Sequence, residues 1–101
     1  MVRPTTEEIE VIHQIEKVVC SYLLVDQQEI VNRNKTSQVS LARGYIFYIL
    51  HVDRKISINK IANFYFREKR VVFWNVSKIK FLIKQRIYKD IYEKICEIIS
   101  K

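Results

Sequence analysis

With 101 residues, the chain has room for one domain with a single modest core, which leaves no space for an ATPase or a Rossmann unit beside it. Hydrophobic residues make up 49% of the sequence and charged residues 29%, with one glycine and one proline, so neither a disordered chain nor a multi-hairpin β protein is expected. The net charge of +7 is uneven: residues 1–30 carry two basic and six acidic side chains, whereas the remaining 71 residues carry sixteen and five, a distribution that favours a polyanionic partner such as nucleic acid.

Two helices and a basic loop are predicted in the first part of the chain. Thr5 and Glu8 have capping-box spacing, and apolar residues recur at intervals of three and four as far as Leu23, which predicts an amphipathic helix of about five turns. Residues 26–29 repeat the pattern of cap and acid, which predicts a second, very short helix. Residues 32–38 are polar and partly basic, so we expect an exposed loop there.

Two further helices are predicted in the middle of the chain. Apolar periodicity resumes at Val39 and continues to the charged segment 53–55. Gly44, inside this helix, either lowers its helix propensity or marks a close contact with another helix. Ser57 is a suitable N-cap for a short helix that ends near Tyr65.

After an interruption at residues 66–68, a longer helix and a final helix are predicted. The final helix is predicted from isoleucines at intervals of three and four residues between Ile87 and Ile98, with Tyr88 and Tyr92 as expected core residues. The inward stripe of the longer helix is predicted to hold Val72, Phe73, Val76, Ile79 and Ile83. Its outward face is predicted to hold Lys69, Arg70, Trp74, Ser77, Lys78 and Phe81.

The remaining signals indicate a cytoplasmic, soluble protein without catalytic activity. The N-terminus lacks an apolar secretory segment, and Cys20 and Cys96 stand among aliphatic residues, so we expect both as buried hydrophobic side chains. His13 and His51 have no second ligand at metal spacing. No catalytic arrangement of serine, cysteine and histidine, no carboxylate pair and no phosphate-binding glycine loop stands out, so we expect no enzyme, metal, cofactor or small-molecule substrate.

The segment from about residue 57 to residue 84 has the outline of a helix-turn-helix. Its short first helix is followed, after about three residues, by a longer and strongly basic helix. Eight basic residues and one acidic residue lie between Arg67 and Lys89. Lys69 and Arg70 stand near the start of the second helix, where donors reach base edges. The alternative is a solvated basic face on an ordinary helical bundle.

The order of elements resembles that of a known family over nearly the whole chain, from about Ile9 to Ile99. The residues on which this resemblance depends are Val39, the run 42–49 (ARGYIFYI), the run 56–62 (ISINKIA), the turn 65–66 (YF), the run 67–72 (REKRVV) and Lys78-Ile79. These are similar to the C-terminal DNA-binding domain of bacterial DnaA replication initiators, a member of the Trp-repressor-like helix-turn-helix group. The resemblance implies an all-α DNA-binding domain in the cytoplasm, at the nucleoid.

The resemblance implies DNA contacts outside the second helix of the motif. An arginine of the family's basic loop enters the minor groove, and the matching stretch holds Arg33 and Lys35. The arginine that opens the family's third helix contacts backbone or bases, and it is kept as Arg43. The start of the first motif helix, with Ser57 and Asn59, would face phosphate.

The resemblance also implies which residues would read bases, and here the chain departs from the family. Arg67 matches the turn arginine, whereas Lys69, Arg70 and Val71 replace the family's base-reading His-Thr-Thr, and Gly44 replaces a glutamine. Because base edges are read by side-chain identity, the family's usual origin box is not implied. The chain has no G-x-x-x-x-G-K-[ST] motif for ATP, so it resembles a stand-alone module, and its size and Ile- and Lys-rich composition suggest a phage or other mobile element.

These inferences predict one domain, residues 1–101, folded as an all-α bundle of five or six helices around a central helix-turn-helix. We expect a monomer that binds double-stranded DNA in replication or transcription control, with the second motif helix in the major groove. Trp74 either packs against a sugar or thymine methyl or covers a neighbouring helix. The alternatives are a protein-interaction module for a replication or nucleoprotein partner, and an RNA-binding protein. The predicted DNA-binding residues are Arg33, Lys35, Arg43, Ser57, Asn59, Arg67, Lys69, Arg70, Val71, Trp74 and Lys78.

Overall fold

The computed structural model describes residues 3–31 and 36–100, and these two stretches are helical apart from short connections. This confirms the predicted all-α bundle, and the six predicted helices are all found in the described part of the chain. In chain order they are α1 (Thr6–Leu23), α2 (Gln27–Val31), α3 (Ser37–Tyr48), α4 (Ile58–Tyr65), α5 (Lys69–Leu82) and α6 (Arg86–Ile99), with a π-helical turn (Ile49–Asp53) that continues α3.

Two of the predicted helix starts are confirmed by their capping hydrogen bonds. At α1 the Glu8 N–H donates to Thr5 Oγ1 at 3.1 Å, and the Thr5 N–H donates to Glu8 Oε1 at 2.8 Å, which completes the capping box. At α4 the Lys60 N–H donates to Ser57 Oγ at 3.2 Å. Each bond satisfies a backbone donor that the first turn of a helix cannot pair internally.

The start of α3 differs from its prediction by two residues. The helix begins at Ser37 rather than at Val39, because the Thr36 hydroxyl accepts a hydrogen bond from the Val39 N–H at 3.4 Å and acts as the N-cap. Gln38, which was predicted to lie in the basic loop, donates to the Leu23 carbonyl at 2.7 Å. Residues 32–35 of that loop lie outside the described residues.

The core is built around α3, which packs against both α1 and α5. Every residue from 42 to 50 is buried, so this helix is surrounded by protein along most of its length. A Cβ at Gly44 would lie 2.8 Å from Ile79 Cγ1 of α5, closer than two carbons can pack. The glycine therefore marks a close approach of two helices, one of the two roles that the sequence left open.

The ends of three segments adopt a left-handed backbone conformation without glycine. Leu24 and Lys55 have φ values of 58°, and Phe66 has a φ of 54°. For residues with a Cβ this conformation costs about 1–2 kcal/mol each. A chain whose single glycine is used at a helix crossing therefore ends its helices with strained, larger residues.

Two polar contacts fix α4 to α1. The Tyr65 hydroxyl donates to the buried Glu16 carboxylate at 2.6 Å, and Lys60 Nζ lies 3.0 Å from Glu8 Oε1. Burial, together with the neighbouring Glu16, raises the pKa of Tyr65, so its hydroxyl stays protonated and remains a donor. These contacts hold α4 in a set orientation on the bundle.

The C-terminal helix α6 packs on α1, with Ile95 and Ile99 buried. Tyr88 and Tyr92, predicted as core residues, are only half-buried, and the Tyr92 hydroxyl donates to the Asp53 carboxylate at 2.7 Å. Cys20 is buried as predicted, whereas Cys96 is only half-buried. Within the two described stretches, no helix combines the length and the apolar character needed to span a bilayer.

Candidate nucleic-acid interface

The connection between α4 and α5 is a short turn fixed by backbone hydrogen bonds. The Phe66 N–H donates to the Asn63 carbonyl at 3.4 Å, and the Arg67 N–H donates to the Ala62 carbonyl at 2.9 Å. With Phe66 left-handed, this is a Schellman motif, which stops α4 and redirects the chain within three residues. The lengths and spacing of the predicted helix-turn-helix are therefore present.

One face of α5 anchors it to the bundle. Val72, Val76 and Ile79 are buried, as predicted, and Ile83 just beyond the helix is half-buried. Phe73 was predicted to belong to this stripe, but its side chain is 62% exposed. The prediction was wrong because consecutive helical residues lie about 100° apart, so Phe73 falls at the edge of a narrow stripe centred on its neighbours.

The opposite face of α5 presents three side chains in one line, Arg70, Trp74 and Lys78, which we call the α5 ridge. They stand four residues apart, so each lies one helical turn from the next. Trp74 is 61% exposed, in agreement with its predicted outward position. Lys78 Nζ lies 5.5 Å from the centroid of the indole, a cation–π contact that restrains both side chains.

Basic side chains surround this ridge and are open to solvent. Glu68, just before α5, forms an ion pair with Arg70 at 3.0 Å, but both side chains are largely exposed. Such a pair contributes about 0–1 kcal/mol, so an anionic ligand can take the place of the carboxylate. The exposed cations on α5, in the connection after it and at the start of α6 are Lys69, Arg70, Lys78, Lys80, Lys84, Arg86 and Lys89.

The other predicted contacts near the motif lie at its ends. Ser57 and Asn59 are exposed at the start of α4, where the Ser57 hydroxyl serves as the N-cap. Arg67 is half-buried at the turn, with Nη2 3.5 Å from the Val31 carbonyl at the end of α2. Val71 is partly exposed on the first turn of α5.

Arg43 has an internal position that the sequence did not predict. Its side chain is 7% exposed, Nε donates to the Ile30 carbonyl at 3.1 Å, and Nη2 donates to the Glu29 carbonyl at 3.2 Å. Burial and the neighbouring Arg67 lower the pKa of this guanidinium. The structure therefore uses Arg43 to join α3 to the end of α2, and we leave it out of the candidate interface.

Sequence reasoning missed Phe66, whose side chain is 89% exposed on the turn. It borders a shallow cleft of about 470 Å³ together with Arg67, Glu68, Arg70 and Val71. The available signal was the break in apolar periodicity at residues 66–68, where Phe66 follows the last residue of α4 and adopts the left-handed conformation that ends the helix.

The structure thus brings Lys69, Arg70, Val71, Trp74 and Lys78 together on α5, with Arg67 at the turn beside them. Ser57 and Asn59 lie at the start of α4, Arg43 lies in the interior, and Arg33 and Lys35 fall outside the described residues. Among residues 3–31 and 36–100, no group of three or more His, Cys, Asp or Glu side chains is placed to hold a metal ion.

No protein-family model matches this chain, and no curated protein matches it by sequence. The resemblance to the DnaA C-terminal domain therefore stays a prediction, and the geometry of α4 and α5 is what supports a function.

Proposed function

We propose that the chain binds double-stranded DNA through the helix-turn-helix formed by α4 and α5, with α5 in the major groove. The observation that carries the proposal is the division of α5 into a buried apolar stripe and an outward basic ridge. Because the apolar stripe holds α5 on the bundle, the side chains of the ridge stay exposed for contact with a partner. Occupancy of a DNA site would then serve replication or transcription control.

The dimensions and charge of α5 support this partner. Its 14 residues give a length of about 21 Å, and the major groove of B-DNA, about 12 Å wide, admits one α-helix. Each lysine or arginine that neutralises a phosphate releases condensed counterions, so the exposed cations around α5 favour association entropically.

The proposed roles follow from position along the motif. Lys69 and Arg70, on the first turn of α5, reach base edges or the nearest phosphates. Ser57 and Asn59 face the DNA backbone from the start of α4. Following the resemblance, the loop with Arg33 and Lys35 reaches an adjacent minor groove.

A salt titration tests the proposal. Binding to random-sequence duplex and to a pool selected from randomised duplexes is measured over a range of salt concentrations. About six phosphate contacts give a slope near −5 in a plot of log affinity against log salt concentration. A flat dependence, or no binding at low salt, would contradict duplex binding.

Paired variants locate the interface. Lys69→Ala with Arg70→Ala removes two cations from α5, and we expect a larger loss of sequence preference than of overall affinity. The matched control is Lys17→Ala with Lys94→Ala, which removes the same charge from exposed positions on α1 and α6. Equal effects of the two pairs would place the DNA elsewhere. Arg33→Ala with Lys35→Ala is expected to lower both affinity and preference.

A second candidate function is protein binding, because Phe66, Phe73, Trp74 and Phe81 are all more than 60% exposed on α5 and its preceding turn. Exposed aromatic side chains are typical anchors of protein interfaces. A replication or nucleoprotein partner would contact these aromatic side chains, and the surrounding cations would be incidental to that contact. Such an interface, dominated by apolar contact, would show weak salt dependence, so the same titration separates the two candidates.

A further inference from the structure

The α5 ridge has the repeat needed to read a few consecutive base pairs. Arg70 and Lys78 are eight residues apart, which corresponds to about 12 Å along the helix axis. At about 3.4 Å per base pair, that distance equals the rise of three to four base pairs. Trp74 stands midway between the two cations, and the Lys78 ammonium lies 5.5 Å from its ring centroid.

Polar readers of bases are scarce on α5. Its one amide side chain, Asn75, is half-buried, and Nδ2 donates to the Val71 carbonyl at 2.9 Å, so the group is turned back onto its own helix. Ser77 is the remaining uncharged polar residue of the helix. The ridge therefore offers a duplex two cations with one large apolar surface between them.

The chemistry of the major groove limits what an indole can recognise there. Among the four bases, thymine alone presents a methyl group on this edge, whereas guanine presents the O6 and N7 acceptors that suit Arg or Lys. We propose that Trp74 is a specificity-determining residue that packs on thymine methyl groups, between guanine or phosphate contacts of Arg70 and Lys78. This inference rests on the proposed duplex binding. It specifies the kind of DNA site that is preferred, namely a segment of three to four base pairs with thymine at its centre.

The chain supplies a matched control for Trp74 in the residue before it. Phe73 is 62% exposed and Trp74 is 61% exposed, so the two aromatics offer similar fractions of their surface to a ligand. They lie about 100° apart around α5, and Phe73 is off the ridge. Substitution of Phe73 therefore tests whether any exposed aromatic side chain of α5 affects DNA affinity, whereas substitution of Trp74 tests the ridge itself.

The experiment removes the methyl groups from the DNA instead of changing its sequence. Affinity is measured at one fixed salt concentration for an alternating A·T duplex and for the same duplex with deoxyuridine in place of thymidine. Burying one methyl group corresponds to about a fourfold change in affinity, so we expect the A·T duplex to bind at least that much more tightly. An alternating duplex of G and 5-methylcytosine should likewise bind more tightly than its unmethylated form, because its methyl group occupies the same place in the groove.

Trp74→Ala is expected to abolish both differences, and Phe73→Ala is expected to keep them. Trp74→Gln, which retains a long side chain, is the second variant and should also lose them; circular dichroism checks that each variant is folded. Equal affinity of the wild type for the A·T and A·U duplexes, with steep salt dependence retained, would overturn this inference and leave duplex binding in place. Persistence of the methyl effect in both Trp74 variants would also overturn it. Failure to bind any duplex would overturn the proposed function as well, in favour of a protein partner.

Discussion

Helices α3 and α5 cross at Gly44 and Ile79, yet the fold uses them in opposite ways. From residue 42 to residue 50, every side chain of α3 and the following turn is buried, including that of Arg43, whose guanidinium donates to carbonyls at the end of α2. In α5 only one stripe is buried, and three aromatic side chains face solvent.

The difference shows that apolar content and burial are separate properties of a helix. Single exposed apolar residues are ordinary on protein surfaces, but several large ones on one helix are typical of an interaction surface. A buried charged side chain, in turn, is typical of a residue that is paired inside the protein. The side chains of α3 are used almost entirely in the core, whereas α5 carries large apolar side chains that the core does not bury. The following substitutions test this division.

The largest effect is expected within α5 itself. Ile79→Ala removes a fully buried side chain and should lower the free energy of unfolding by about 2–5 kcal/mol. Trp74→Ala removes a larger but exposed side chain and should change it by less than about 0.5 kcal/mol. Urea denaturation of both variants measures the contrast. A large loss of stability for Trp74→Ala would mean that the indole belongs to the core.

Arg43 tests whether α3 takes part in DNA binding. Arg43→Ala should lower the free energy of unfolding by about 2–3 kcal/mol, because its charged hydrogen bonds to the carbonyls of Glu29 and Ile30 are lost. Denaturation midpoints and DNA affinity are measured on the same variant, at a temperature where it remains folded. A loss of affinity without a loss of stability would restore Arg43 to the interface that the resemblance implies.

A smaller, stabilising effect is expected at the turn before α5. Phe66→Gly relieves a positive φ of 54° and removes an exposed side chain, so stability should rise by about 0.5–1 kcal/mol. Lys55→Gly, at a φ of 58°, is the matched control and should give a similar gain. If Phe66→Gly alone also weakens DNA binding, the strained phenylalanine is a contact residue of the turn.

The smallest effect concerns the link between α1 and α4 at low pH. The Thr5 backbone hydrogen bond, and then Lys60, lower the pKa of Glu8 below its ordinary value of 4.5. The stabilisation is therefore present at pH values above 4.5 and is lost as the pH falls through the lowered pKa of the folded state. Glu8→Gln should make the free energy of unfolding less dependent on pH in this acidic range. An unchanged acid profile would show that the contact contributes nothing to stability.

Local signals were sufficient to predict the six helices and several of their starts, although α3 begins two residues before its predicted start. The Thr5 and Ser57 caps, the periodicity of α1 and α6 and the break at residues 66–68 each depend on residues within a few positions of one another. Gly44 was correctly identified as a special position, although the sequence could not name Ile79 as its neighbour. The helix-turn-helix spacing followed from the same local signals.

The candidate interface was predicted only in part. Arg70, Trp74 and Lys78 lie on the outward face as expected, because α5 has enough apolar residues on one side to fix its rotation, and Lys69 is exposed on the first turn. The positions of Arg43 and Phe73 were not predicted correctly. The burial of Arg43 depends on where the end of α2 lies in space, and the exposure of Phe73 depends on how much of α5 the neighbouring helices cover.

By itself, the sequence determined an all-α chain, the order of its helices and the basic character of α5, because hydrogen bonding and periodicity within a helix are local. The tertiary structure decided that Arg43 is internal, that Phe66 and Phe73 are exposed, and that Arg70, Trp74 and Lys78 form one free ridge. Those outcomes depend on which helices lie opposite one another, and that choice is made by packing between residues distant in the chain.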